Sequence, residues 1–196
     1  TEYCVLLNTD IKVERRWLEH LIAEAEKDRD IAAVASKILL YHEPQKLNGV
    51  GGSMNRLGYT WDRGMFEEDE GQFDTTAEVL FASAGAALFR RSTFLDVGGF
   101  DERFFMYHED VDFCWRLWIV GHRVVTAPQA VVYHHFGAST KSSRGMQWRE
   151  LIGERNNIRS LIKNYQLRAL LPCLLDLLLL PQPFRRKLHM VKNFIW

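Results

Sequence analysis

The run Ile31-Ala-Ala-Val-Ala-Ser-Lys-Ile-Leu-Leu40 constrains the fold most. An apolar run of this length reads as a strand buried inside a core. Ahead of it, Tyr3-Cys4-Val5-Leu6-Leu7 reads as another buried strand. Between the two, residues 14–28 read as a helix, because Trp17, Leu18, Leu21, Ile22 and Ala25 share one face at helical spacing. Strand, helix, strand in succession predicts a parallel α/β layer. Thr1 leads straight into the first strand, with no Met and no signal peptide before it. The chain therefore reads as a fragment whose N-terminal part lies upstream.

The remainder is less regular. Residues 41–76 hold six glycines and many acids, a loop composition with room for a short hairpin. Residues 79–89 read as a strand through the small residues Ala82-Ser83-Ala84-Gly85-Ala86-Ala87. Gly98-Gly99 breaks the chain, residues 110–120 predict a helix ended by Gly121, and 123–127 and 130–133 predict two short strands around Pro128. From Met146 onward the pattern is helical. We thus expect an α/β portion over residues 1–145 and a helical, basic extension over 146–196.

Charge and composition narrow the function. Hydrophobic residues at 47% and charged residues at 26% exclude disorder and a polytopic membrane protein. Lys+Arg 25 balances Asp+Glu 25, so no global basic surface points to nucleic acid. The balance hides a split: residues 155–196 carry eight basic residues and one acid, the rest 17 basic against 24 acidic. Such asymmetry suggests two jobs. Three scattered cysteines without a CxxC pair argue against a disulfide framework or a zinc ribbon and for a reducing cytoplasm.

Four places carry candidate chemistry. Asn8-Thr9-Asp10 follows the first strand, where α/β sheets place ligands, and a carboxylate there suits a hard cation. Equally, Asp10 suits a helix cap or a turn. The stretch from Gly98 to Asp112 sets the acids Asp101, Glu102, Glu109, Asp110 and Asp112 among aromatics. Burial and crowding there raise a carboxylate pKa toward that of a general base, while the same acids suit a helix N-terminus. His134-His135 ends a strand, so one of the two faces the site. Asp10 with one His makes an oxygen/nitrogen site suited to Mg²⁺ or Mn²⁺. Last, the leucine-rich residues 167–180 and the basic Phe184-Arg185-Arg186-Lys187 suit a helix lying on an anionic membrane, or one packed on the domain or a partner subunit.

Together these residues resemble family 2 glycosyltransferases, especially the rhamnosyltransferase-like group. The resemblance runs through Leu6-Leu-Asn-Thr-Asp10, Asp62-Arg-Gly with Gly71-Gln-Phe-Asp74, Ser83-Ala-Gly-Ala-Ala-Leu-Phe-Arg-Arg91, Gly98-Gly-Phe-Asp-Glu-Arg-Phe-Phe-Met-Tyr-His-Glu-Asp-Val-Asp-Phe-Cys-Trp-Arg116 and His134-His-Phe-Gly-Ala-Ser139. It covers about residues 3–165. It implies a partial GT-A fold, a Rossmann-like α/β nucleotide-diphospho-sugar transferase fold, with a C-terminal helical extension. It implies Asp10 and His134 at a Mg²⁺ or Mn²⁺ ion, with His135 as the alternative to His134. Asn8 keeps a hydrogen bond at most. Asp110 becomes the general base within the Glu109-Asp110 pair, Asp101 and Glu102 bind acceptor hydroxyls, and Arg116 faces phosphate or pairs with an acid.

The activity implied is inverting transfer of a sugar, rhamnose in the group's case, from a nucleotide-sugar donor to a cell-envelope or lipid-linked glycan. Its place is the cytoplasmic face of the cell membrane. The family's earlier strand and loop, which hold base and ribose, have no counterpart here, so this portion alone is expected to be inactive. Two other readings stand beside it: a non-catalytic glycan- or membrane-binding module, and a metal-dependent hydrolase or nucleotidyltransferase using the same acids.

Overall fold

The computed structural model describes residues 1–136 and 143–179, with backbone alone for 143–147. In chain order the elements are β1 (Tyr3–Leu7), β2 (Ile11–Val13), α1 (Trp17–Ala25), β3 (Ile31–Leu40), β4 (Leu47–Val50), β5 (Gly52–Met54) and β6 (Thr60–Asp62). There follow β7 (Ala86–Arg90), α2 (Arg91–Asp96), a 3-10 turn (Glu102–Phe104), α3 (Glu109–Ile119), β8 (Arg123–His134), α4 (Ser143–Asn164) and α5 (Leu167–Leu179). The basic cluster at 184–187, and Gly137 and Ser139 of the His motif, lie outside the described residues.

The buried run does form the central strand. β3 pairs parallel with β8 along one edge. Its other edge is divided: residues 33–35 pair with β7 and 37–39 with β4, both antiparallel. The strand order is β1-β7-β3-β8-β2, with β4 beside β3. The expected parallel layer is thus a mixed sheet. β7 inserts between β1 and β3 and runs opposite to both, so these two point the same way without being neighbours. β1 is not the buried strand its apolar run predicts, because it lies at the sheet edge with Val5 and Leu7 exposed.

Alternate residues of β3 feed the two faces, as a pleated strand requires. Val34 joins Trp17, Leu21 and Ala25 of α1 on one face. There the Trp17 indole donates to Ser36 Oγ at 2.8 Å, which satisfies a buried polar pair. Ala33 and Ala35 join Phe89 of β7 and Phe113 and Leu117 of α3 on the other. Burying each of these large side chains stabilises the fold by about 1.5–3 kcal/mol. Leu161 of α4 and Cys173 and Leu177 of α5 belong to this same core. The expected boundary between residues 145 and 146 falls inside α4.

Two further expectations change. Residues 79–85 are not strand; only 86–90 are. The small residues 82–85 instead form a turn, closed by the Ala86 amide donating to Ser83 O at 3.1 Å. And 123–134 is one strand, not two, because the sheet absorbs Pro128 in a register shift opposite Ser36 and Lys37. Opposite that shift, Lys37 is buried and holds Asp69 at 2.9 Å and Asp74 at 2.6 Å, tying the glycine-rich 41–76 segment to β3. Among the described residues no helix is long and apolar enough to cross a membrane.

Candidate functional site

The turn after β1 and the end of β8 meet because β2 pairs antiparallel with β8, setting Ile11 opposite His134. This brings Asp10 Oδ2 to 3.4 Å from His134 Nε2. His134 Nδ1 lies 2.5 Å from Asn48 Oδ1 on β4. An amide oxygen can only accept, so that bond places a proton on Nδ1, and in the neutral ring the Nε2 lone pair then faces the Asp10 carboxylate. Two acceptors this close repel unless a cation or proton lies between them. The donor set therefore fits a divalent ion, with Asn48 fixing the ring in the manner of a second-layer partner. Among the described residues no group of three or more His, Cys, Asp or Glu gathers for a metal. Two protein ligands suit a cation that takes its other oxygens from water and substrate phosphate. The next residue, His135, points elsewhere and stacks on Tyr41 with ring centroids 3.6 Å apart.

The tight turn at 83–85 joins this end of the sheet to α3. The Asn8 backbone amide donates to Gly85 O at 2.8 Å, and a Cβ on Gly85 would lie 3.3 Å from the side-chain Nδ2 of Asn8. The small residues that look like strand thus permit a close approach. The Ala84 amide donates to Asp110 Oδ2 at 3.0 Å, and the Val111 amide to Asp110 Oδ1 at 2.8 Å. Burial raises the Asp110 pKa, and these backbone donors oppose the rise. Burial likewise raises the Glu109 pKa, helped by the Asp110 charge, and Glu109 Oε2 is buried without a hydrogen-bond partner among the described residues.

Sequence reasoning missed Asp62. It sits at the end of β6, where a Cβ on Gly49 would come within 2.7 Å of its own Cβ. Its pKa is pushed up to about 7, first by burial and then by the charge of Asp110. Residues 48 and 49 of one strand therefore reach His134 and Asp62 respectively, and Asp62 feels Asp110. A circuit runs from Asp10 through His134, β4, Asp62, Asp110 and the 83–85 turn back to Asn8; its Asp62–Asp110 link is a through-space charge interaction, and its other links are hydrogen bonds or close packing. The sequence signal for Asp62 was its place in the Asp62-Arg-Gly motif; nothing local marks Asn48.

The residues ahead of Asp110 are held under strain. Phe105, Tyr107 and His108 all have positive φ, at 62°, 66° and 68°, an uncommon state for side chains of this size. Buried Asn156 of α4 clamps them, its Nδ2 donating to the carbonyls of Phe104 at 2.9 Å and of Met106 and Tyr107 at 2.8 Å. Burial lowers the His108 pKa to about 4.

The other candidates lie off the circuit. Arg116 takes the acid-pairing course: it donates to Asp112 at 3.0 Å and to the carbonyls of Val97 and Gly99 at 2.6 Å each, pinning the Gly98-Gly99 break. Asp101 caps the 3-10 turn and pairs with Lys163 at 2.9 Å, which lowers its pKa. Glu102 is exposed. Buried Asp112 accepts from Lys163 at 2.8 Å and Asn164 at 2.9 Å, fastening α3 to α4.

Residues 18–194 match the family described as "Glycosyl transferase family group 2". The chain is 31% identical over 146 residues to "O-antigen biosynthesis protein RfbC" of Myxococcus xanthus, covering 72% of this chain and 11% of that protein. It is 42% identical over 93 residues to "N-acetylglucosaminyl-diphospho-decaprenol L-rhamnosyltransferase" of Mycobacterium tuberculosis (strain CDC 1551 / Oshkosh), covering 46% and 30%. The chain thus spans less than a third of the curated relatives it matches. Among solved structures it is similar to "GalNAc-T7 with UDP, GalNAc and Mn2+", with TM-score 0.60 at 16% identity over 82% of this chain and 31% of that one. That likeness supports the expected partial GT-A fold.

Proposed function

The chain belongs to glycosyl transferase family group 2, and from that premise we propose that it is the metal- and acceptor-side portion of an inverting, metal-dependent glycosyltransferase. Its donor is a nucleotide sugar, rhamnosyl in the reading we favour, and its acceptor a cell-envelope glycan on a lipid diphosphate. The names of the relatives support that acceptor class. The observation that carries the proposal is the circuit linking the Asp10–His134 pair to Asp110.

Asp110 is the general base. Inverting transfer requires the acceptor hydroxyl to lose its proton as it attacks the anomeric carbon, and a carboxylate with a raised pKa accepts that proton well. The two backbone donors hold the carboxylate in one orientation, so the base need not reorganise during attack. Asp10 and His134 hold a Mg²⁺ or Mn²⁺ ion, Asn48 orients His134, and Asn8 braces the turn against Gly85. When bound, the cation neutralises charge growing on the departing nucleoside diphosphate. Asp101 and Glu102, on the acceptor side of α3, contact acceptor hydroxyls.

The extension rests on the membrane surface. Leu167, Leu171, Leu175 and Leu178 are all exposed and share one face of α5 at helical spacing, which supports this reading. The test is Asp110→Asn in the full-length protein. Transfer should be lost while Mn²⁺-dependent donor binding persists; turnover equal to the parent's removes Asp110 as the base.

A further inference from the structure

Beside the strained segment, on the α4 side, lies an open groove of about 460 Å³. Four cations line it, Arg103 of the 3-10 turn and Arg155, Arg159 and Lys163 of α4, together with Ile158 and Ile162. The α4 cations recur every four residues, so they lie along one side of the helix. Asp101 is the one acid in the lining and is paired with Lys163. The second acid that Lys163 meets, Asp112, is buried and already takes Arg116. The groove thus keeps an excess of positive charge at its mouth.

Its guanidinium groups are held in place. Arg155 donates to Phe104 O at 3.2 Å and to Asn156 Oδ1 at 3.1 Å. Arg159 donates to Arg103 O and lies over the Phe104 ring, 5.6 Å from its centroid. Planar donors fixed by the backbone suit phosphate oxygens, because little rotamer freedom is left to lose on binding. Ile158 and Ile162 are 43% and 58% exposed between these cations. A purely anionic ligand has no use for such apolar surface, and a purely apolar one has no use for four cations.

We propose that this groove binds the diphosphate of a lipid-linked acceptor, with Ile158 and Ile162 under the first isoprenoid units of its chain. The site is separate from the Asp10–His134 pair that serves the donor. It deepens the acceptor assignment above and rests on that reading only for calling the lipid an acceptor.

Binding is measured by calorimetry on the full chain, with EDTA present so that the metal-dependent donor site is silent. Farnesyl diphosphate should bind at least about tenfold more tightly than farnesol or inorganic pyrophosphate, a factor that two charge-assisted contacts supply. Arg103→Ala combined with Arg159→Ala should weaken farnesyl diphosphate about tenfold and leave farnesol unchanged. Arg103→Ala alone, at an exposed side chain, should show part of that loss should the double variant fail to fold. Asp10→Ala should leave farnesyl diphosphate binding in EDTA unchanged. The proposal is overturned if farnesol or pyrophosphate binds as tightly as farnesyl diphosphate, or if Arg103→Ala and the double variant bind it like the parent. Because no transfer is read, binding without turnover would leave the groove standing and count against the transferase reading alone.

Discussion

Replacing Asp62 with Asn should stabilise this chain, and the gain should grow with pH. The pKa of Asp62 rises from an ordinary 3.8 to about 7 in the fold. Between those values the unfolded chain has released the proton and the native chain still holds it. Stability then falls as pH rises, by about 1.4 kcal/mol per pH unit, to a total of at most about 4 kcal/mol above pH 7. His108 works in the opposite sense. Burial lowers its pKa from 6.5 to about 4, so the unfolded chain binds the extra proton in that window and stability rises with pH there. These two contributions nearly cancel between pH 4 and 6.5, while the raised pKa values of Glu109 and Asp110 add to the falling side. In Asp62→Asn the falling contribution of Asp62 is gone and the His108 slope is less opposed. Urea unfolding of parent and variant at pH 4.5, 6.5 and 8 tests this. The variant's advantage should be small at pH 4.5 and about 2–4 kcal/mol at pH 8, and between pH 4.5 and 6.5 the variant's stability should rise with pH relative to the parent's. An advantage that does not change with pH, or a variant less stable at pH 8, refutes the assignment of a buried, protonated Asp62.

Asn156→Ala should destabilise the chain by about 2–4 kcal/mol, since it leaves three carbonyls of a strained segment without their shared donor; a shift in the urea midpoint worth less than about 0.5 kcal/mol would show that Asn156 does not hold that segment. Asn48→Ala, which frees the His134 ring, should weaken Mn²⁺ affinity about 10–100-fold in titration calorimetry without changing the metal's stoichiometry. Unchanged affinity would mean that His134 does not serve the metal.

The parts of the fold legible in sequence were those decided locally. The apolar run of β3 has one use in a soluble domain, and Gly121, with φ of 89°, ends α3 where a left-handed residue is needed. What failed depended on partners far along the chain. The separation of β1 from β3 follows from the insertion of β7, about eighty residues later, which no local pattern announces. Residues 82–85 carry strand-like apolarity, yet their smallness serves the approach of Asn8 and Asp110. Pro128 argues for a break, but β8 continues because the register shift is absorbed in pairing with β3. The Asn156-Asn157 pair was the signal passed over: two poor helix formers in the middle of a helix ask for a tertiary reason, and the buried clamp is that reason.

The same logic explains why the site's chemistry was half visible. Asp10, Asp110 and His134 each end or begin an element, so sequence position alone marks them as lying at one rim of the sheet. Their electrostatic state is not a property of position. Burial, and after it the charge of Asp110, pushes the Asp62 pKa up to about 7. Asp110 ionises more readily than it otherwise would because two amides from separate segments point at it. Two coupled carboxylates that share one proton offer one base and one neutral acid rather than two repelling anions. That division of roles depends on the 83–85 turn, which supplies one of the two amides. Its glycine, barely clear of Asn8, ties the turn to the Asp10–His134 end of the site. A bulkier residue at Gly85 should therefore disturb both ends of the circuit at once, the Asp110 base and the bracing of the metal-side turn.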